Sequence, residues 1–235
     1  MTASSRTIRL RRPPTLSVQE GMYVPANPST TYAGTLLDEI DRRWNGLCAA
    51  NSTYFDGRLC HVLGVHRNGH GGCVLHIIDC AYRFFAVQAA APPQEGFDLG
   101  VRPLGVKGVI ERDGQFLMGR RSKRVAMYAD TWEFAPSGSV DFGRPPHEVI
   151  AHELREETGL ACASEPTAIA VLFDPILRCW EIVYRLSIAA DAQPRVTAEY
   201  PQVEWFARDS LPADLSPVAR QIAELLRNSS KPEAI

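Results

Sequence analysis

Three glutamates, Glu153, Glu156 and Glu157, stand directly ahead of Thr158-Gly159-Leu160. On a helix each residue advances by about 100°, so the three carboxylates fall on one stripe within roughly 100° of each other. Like charges at that spacing repel. A divalent cation offsets the repulsion, and hard carboxylate oxygens suit Mg²⁺ or Mn²⁺. Such an ion, bridging substrate phosphates, neutralises their charge and activates water. The alternative is a solvated acidic face beside Arg155.

A helix must carry these side chains, and its ends are written in the sequence. Pro145 and Pro146 suit its start, and Gly159 suits the position just past its end. Ile150 and Leu154 lie towards another side and are expected to pack on a sheet. Apolar runs at 106–110 and 115–118 flank Asp113-Gly114, a hairpin turn signal. Further strands are expected at 168–173, 180–188 and 202–207. A final amphipathic helix follows over 216–228, with Ser216 as cap and Pro217 at its first position. Strands with a helix between them and another at the end predict a layered α/β or α+β sandwich.

The Pro- and Gly-containing stretch at 89–100 reads as a linker. Ahead of it, a small α+β unit is expected over 31–95. Its helix places Leu36, Leu37, Ile40, Trp44 and Leu47 at helical spacing behind Thr35 as N-cap. Asp56-Gly57 and Asn68-Gly69 are turn signals, and 58–66, 73–80 and 82–89 read as strands of an antiparallel sheet. Residues 1–30 read as a basic tail or edge strand, and 229–235 as a tail.

A net charge of −2 supplies no basic field for nucleic acid. No run approaches 18 apolar residues, and the N-terminus lacks the apolar core of a secretory signal, so a cytoplasmic protein without a membrane segment is expected. The six cysteines form no CxxC pair and read as reduced and mostly packed. Cys60, His61, His66, His70, Cys73, His76 and Cys80 crowd together, yet their spacing matches no common zinc module, and strand alternation accounts for several of them. No Gly-x-Ser-x-Gly elbow supports serine hydrolase chemistry.

Gly138, Glu153, Leu154, Glu156, Glu157, Gly159 and Leu160 share the register of a known signature. That signature runs glycine, five residues, glutamate, seven residues, arginine-glutamate, an aliphatic residue, any residue, two glutamates, any residue, glycine and an aliphatic residue. Its usual lead-in of Trp, Phe, Pro, glycines, an acid and Gly is matched by "WEFAPSGSVDFG". Residues 101–228 thus resemble the Nudix hydrolases. The resemblance implies an α/β/α sandwich that hydrolyses a nucleoside diphosphate linked to another group. It makes Glu153, Glu156 and Glu157 ligands of Mg²⁺ (or Mn²⁺), with Glu156 or Glu157 as general base. It places Ser137 and Gly138 in a tight turn before the helix, and Arg121, with neighbouring Arg120, against substrate phosphate. The signature glutamate is Arg144 here, and the signature arginine is His152. Those two positions commonly interact in the family, so exchanging both removes a pair instead of stranding one charge.

Residues 42–62, "RRWNGLCAANSTYFDGRLCHV", are similar to a branch acting on nucleotide sugars such as UDP-glucose. That resemblance implies a small-molecule nucleotide substrate, cleaved to UMP and a sugar 1-phosphate. The rival expectations are an ADP-ribose or dinucleotide pyrophosphatase, and a catalytically impaired nucleotide-binding domain. Tyr54, Phe55 and Trp180 are candidates for stacking on a base or for core packing. Many relatives are dimers, and a homodimer is compatible with this chain.

Overall fold

A computed structural model describes residues 6–26, 35–92, 95–125 and 127–229. The expected tail over 229–235 lies outside the described residues except for Ser229, as do residues 1–5 and 27–34 of the N-terminal stretch.

Asp113 and Gly114 both adopt positive φ, 52° and 73°, so the chain reverses tightly between β5 (Leu104–Arg112) and β6 (Gln115–Arg120). Short β7 (Trp132–Phe134) pairs with β6, and β8 (Ser137–Ser139) pairs with β5. β9 (Thr167–Asp174) and β10 (Cys179–Leu186) form an antiparallel pair, and β10 runs parallel to β5. β11 (Gln202–Ala207) closes the far edge on β6. The near edge is β1 (Arg6–Arg9), antiparallel to β9.

Side chains alternate across this sheet. Val106, Ile110, Val171 and Ile182 face α3 (Pro146–Thr158), where Val149, Ile150 and Leu154 are buried. Val109, Ala170, Leu172 and Val183 face α4 (Pro217–Ser229), which buries Val218, Ile222 and Leu226. The result is the expected α/β/α sandwich. Ser216 caps α4 through Ala219 N–H at 3.1 Å.

β2 (Thr15–Met22), β3 (Arg58–Arg67) and β4 (Cys73–Ala81) form a second sheet in the order β2-β4-β3. It is mixed, because β2 runs parallel to β4. The antiparallel expectation therefore holds for β3 and β4 alone. Thr35 caps α1 (Leu36–Ala50) in a capping box with Asp38.

The strand expected at 82–89 is instead a helix, α2 (Tyr82–Ala90). Phe84, Val87 and Gln88 are buried at helical spacing, which outweighs the strand preference of the aromatic residues. Tyr82 N–H donates to Gly57 carbonyl at 2.8 Å, and Arg83 N–H to Asp56 Oδ1 at 2.9 Å, satisfying its first turn. β3 also binds the larger unit. Cys60 N–H meets Val140 carbonyl at 3.1 Å, and Phe142 N–H meets Arg58 carbonyl at 3.1 Å. The small sheet thereby pins the loop that enters α3.

Of the crowded Cys and His residues, the three cysteines and His61 serve this packing, while His66 and His70 are exposed. Cys60, Cys73 and Cys80 are buried. His61 Nδ1 accepts from Arg102 N–H at 2.8 Å, and burial lowers its pKa to about 4.

Candidate active site

α3 is anchored at both ends. Pro146 occupies its first turn, and Gly159 ends it at φ 72°, with its N–H donating to Arg155 carbonyl at 3.0 Å. With Ile150 and Leu154 fully buried against the sheet, Glu153 and Glu157 turn into a cavity of about 340 Å³. Glu199, on the loop before β11, lines the same cavity.

Ser137 N–H donates to Glu157 Oε2 at 2.8 Å. Burial pushes the Glu157 carboxyl well above the usual range, Glu199 adds to this, and the Ser137 N–H opposes it. Burial, then Glu156 and Glu199, push Glu153 up to about 7, with Arg144 opposing. Two carboxyls this far from ordinary ionisation form an under-compensated acidic cluster, and its charge and oxygen donors fit a divalent cation. As they stand, no three His, Cys, Asp or Glu side chains among the described residues converge into a closed ligand set. The reason is visible in Glu156, which is 64% exposed and turned to His152 Nδ1 at 3.4 Å, outside the cavity lining. The fit is therefore one of charge and donor chemistry.

Ser137 and Gly138 do not make the expected turn. They lie in β8, opposite Lys107 and Val106 of β5, and the Ser137 N–H that this pairing leaves over is the one Glu157 accepts. A Cβ at Gly138 would sit 2.5 Å from Glu153 Oε1 and 2.6 Å from its Cγ. Gly138→Ala is thus expected to displace Glu153 and lower kcat/KM by roughly a hundredfold, with a melting temperature close to wild type. Steady-state kinetics and a thermal melt check this.

Arg121 lines the cavity, but its guanidinium is already engaged by Glu133, by Glu199 at 3.3 Å and by Met127 carbonyl at 3.0 Å. Arg120 is not brought into the cavity. It pairs with Asp130 at 2.9 Å and Asp214 at 3.3 Å. Neighbouring residues at a strand end face opposite ways, so one of the two arginines points out. Arg144 and His152 do not pair with each other in place of the signature pair; Arg144 lies 3.6 Å from Asp141. Trp180 packs in the core against Phe173, with ring centroids 5.0 Å apart. Tyr54 and the 78% exposed Phe55 line a second cavity of about 440 Å³.

Several cavity residues escaped the sequence reading. Glu133 is buried, accepting from Lys107 Nζ at 3.0 Å, Tyr200 hydroxyl at 2.7 Å and Arg121. Burial pushes its carboxyl up, but Lys107 and Arg121 outweigh that and hold it at about 2. Glu181 on β10 is buried beside them, and burial raises it to about 7 against the pull of Lys107. Their signal was present: a charge set inside an otherwise apolar strand, as in Lys107 and Glu181. Phe85 of α2 also lines the cavity, so the N-terminal region supplies part of its wall.

A model of the NUDIX domain matches residues 101–226. The chain belongs to the Nudix family. It is a Nudix-type pyrophosphohydrolase, and the family acts on small nucleotide substrates with divalent metals. Residues before 101 lie outside the match. Among solved structures, a MutT NUDIX hydrolase from Burkholderia pseudomallei is 30% identical, with a TM-score of 0.46 over 52% of this chain and 95% of that one. A MutT protein from Methanosarcina mazei Go1 is 22% identical, with a TM-score of 0.44 over 55% and 95%. A bifunctional NMN adenylyltransferase/ADP ribose pyrophosphatase from Francisella tularensis, complexed with AMP and a Mn ion, is 16% identical, with a TM-score of 0.45 over 63% and 46%. No match is found among curated proteins. Among the described residues, no helix is long and apolar enough to cross a membrane.

Proposed function

We propose that this Nudix chain hydrolyses the diphosphate of a nucleotide sugar, releasing UMP and a sugar 1-phosphate. The observation that carries the hydrolytic reading is the gathering of Glu153, Glu157 and Glu199 around the Ser137–Gly138 backbone in one cavity. The nucleotide-sugar preference is supported by residues 42–62. They span the end of α1 and the start of β3, where Trp44 packs edge-on to Tyr54 at 5.7 Å and to Tyr82 at 6.3 Å. Tyr82 opens α2, the helix that brings Phe85 to the cavity.

Glu153, Glu156 and Glu157 would hold Mg²⁺ or Mn²⁺, with Glu156 swinging in from His152. When bound, the cation supplies charge neutralisation at the diphosphate and acidity for the attacking water. Ser137 N–H fixes one oxygen of Glu157 and so orients the carboxylate. Gly138 leaves the backbone open for Glu153. The water proton passes to one of three carboxylates, Glu156, Glu157 or Glu199. Single glutamine variants separate these roles: loss of kcat with metal affinity kept marks a carboxylate that acts as base alone, and loss of both marks one that also holds the metal. Arg121 is held by Glu133 and Glu199 on the cavity wall, where it can turn its planar fork to phosphate.

The test is a panel of NDP-sugars, ADP-ribose, dinucleotides and NTPs with Mg²⁺ or Mn²⁺, with products identified by mass. UDP-sugars are expected to turn over fastest. A higher kcat/KM for ADP-ribose would overturn the sugar assignment.

A further inference from the structure

We propose that Glu181 selects the base of the bound nucleotide, its free carboxylate oxygen accepting a hydrogen bond from a ring or exocyclic N–H. This rests on the nucleotide reading above. Glu181 is only 8% exposed and lines the cavity, yet its carboxylate accepts no hydrogen bond among the described residues; Oε2 is sealed against Gly105, which leaves Oε1 as the oxygen a ligand can reach. A buried acceptor left unmade costs about 1–3 kcal/mol, and more when charged. An orphan in a binding cavity therefore marks where a ligand donor belongs.

The position is built for this carboxylate. Its cross-strand partner is Gly105 on β5, and a Cβ there would collide with the Glu181 carboxylate. The other polar groups around it are engaged. Asp174 accepts from Tyr128 hydroxyl at 2.5 Å and from Ile176 N–H at 2.8 Å, while Lys107 is committed to Glu133 at 3.0 Å. Phe85, Met127 and Leu177 offer apolar surface in the same cavity, which suits a flat ring. An ionised carboxylate accepts and does not donate, so it repels phosphate and favours an N–H donor. Such a donor stabilises the ionised form of a carboxyl that burial has raised.

A site built to hydrogen-bond a donor rejects the analogue that lacks it. Calorimetry compares UMP with N3-methyl-UMP, and AMP with purine riboside monophosphate, on the wild-type chain and on Glu181→Gln and Glu181→Met. Wild type is expected to prefer the member with the donor by about tenfold or more in at least one pair. Glu181→Met is expected to bring that ratio near one while Mn²⁺ affinity is unchanged. The glutamine variant, which keeps one acceptor, is expected to fall between and covers the case in which Glu181→Met fails to fold. A purely structural Glu181 would shift the melting temperature and leave the ratio as in wild type, which overturns the proposal, as does a wild type without preference. Binding requires no turnover. A changed ratio without hydrolysis therefore removes the hydrolytic reading alone, and hydrolysis with an unchanged ratio removes this one alone. Absence of binding by every member overturns this proposal, and the hydrolysis panel alone judges the other reading.

Discussion

Glu157→Gln is expected to lower kcat by about a hundredfold to ten-thousandfold and to leave a folded protein. The glutamine Oε1 can still accept the Ser137 N–H bond that Glu157 accepts at 2.8 Å, so local geometry is kept. What disappears is a negative oxygen beside Glu153 and Glu199. The sign of the stability effect follows from the raised Glu157 carboxyl. A carboxyl raised in the folded state resists ionisation there, so the metal-free wild type loses stability as pH climbs above the ordinary carboxylate range. The variant lacks this loss and matches or exceeds metal-free wild type at neutral pH. Mg²⁺ or Mn²⁺ is expected to bind the folded state and to raise the wild-type melting temperature, and to do so less in the variant. Thermal melts with and without metal at several pH values, together with kcat, check all three statements. A variant with wild-type kcat and a wild-type metal response would contradict them.

Glu133→Ala is expected to be the most destabilising single change in the site. Glu133 is 2% exposed and balances Lys107 and Arg121, whose side chains are each 12% exposed. Removing one member of a buried charge group strands the others, at a cost of about 3–5 kcal/mol. For a domain of this size that corresponds to a fall in melting temperature of roughly 10 °C. Tyr200 also loses the acceptor of its hydroxyl. The same pairing predicts acid sensitivity. The Glu133 carboxyl is lowered from 4.5 to about 2, so its contribution is present above about 4.5 and lost as pH falls from there towards 2. Denaturant melts of wild type and Glu133→Gln across that window test it. The variant is less stable throughout the neutral range, and the gap narrows as acid protonates Glu133 in the wild type. A constant gap would contradict the assignment.

The legible parts of the fold were those where local chemistry and tertiary packing agree. Asp113-Gly114 adopts positive φ at both positions, as its residue types demand. α3 begins at Pro146 and stops at Gly159, and its carboxylate stripe and apolar stripe separate by helical geometry alone. α2 was misread because Tyr82, Phe84, Phe85 and Val87 carry strand preference, while their burial at helical spacing depends on α1 and on residues 97–101. Glu156 was legible as a carboxylate but not as one turned outward, because that depends on its pairing with His152. Glu133, Lys107 and Glu181 came together through strand neighbours distant in sequence, so only the isolated charge in each apolar strand hinted at them. The altered signature positions were legible as departures. Their new partners, Asp141 for Arg144 and Glu156 for His152, follow from the loop and helix geometry.

Glu153, Glu156 and Glu157 are expected to hold a divalent cation although Arg144 and His152 replace the signature residues. Titration of the chain with Mn²⁺, followed by the electron paramagnetic resonance of the free ion, tests it most directly. Wild type is expected to bind Mn²⁺ saturably, with affinity reduced at least about tenfold in Glu153→Gln and in Glu157→Gln. Saturable binding unchanged in both variants, or no binding by the wild type, would contradict the account.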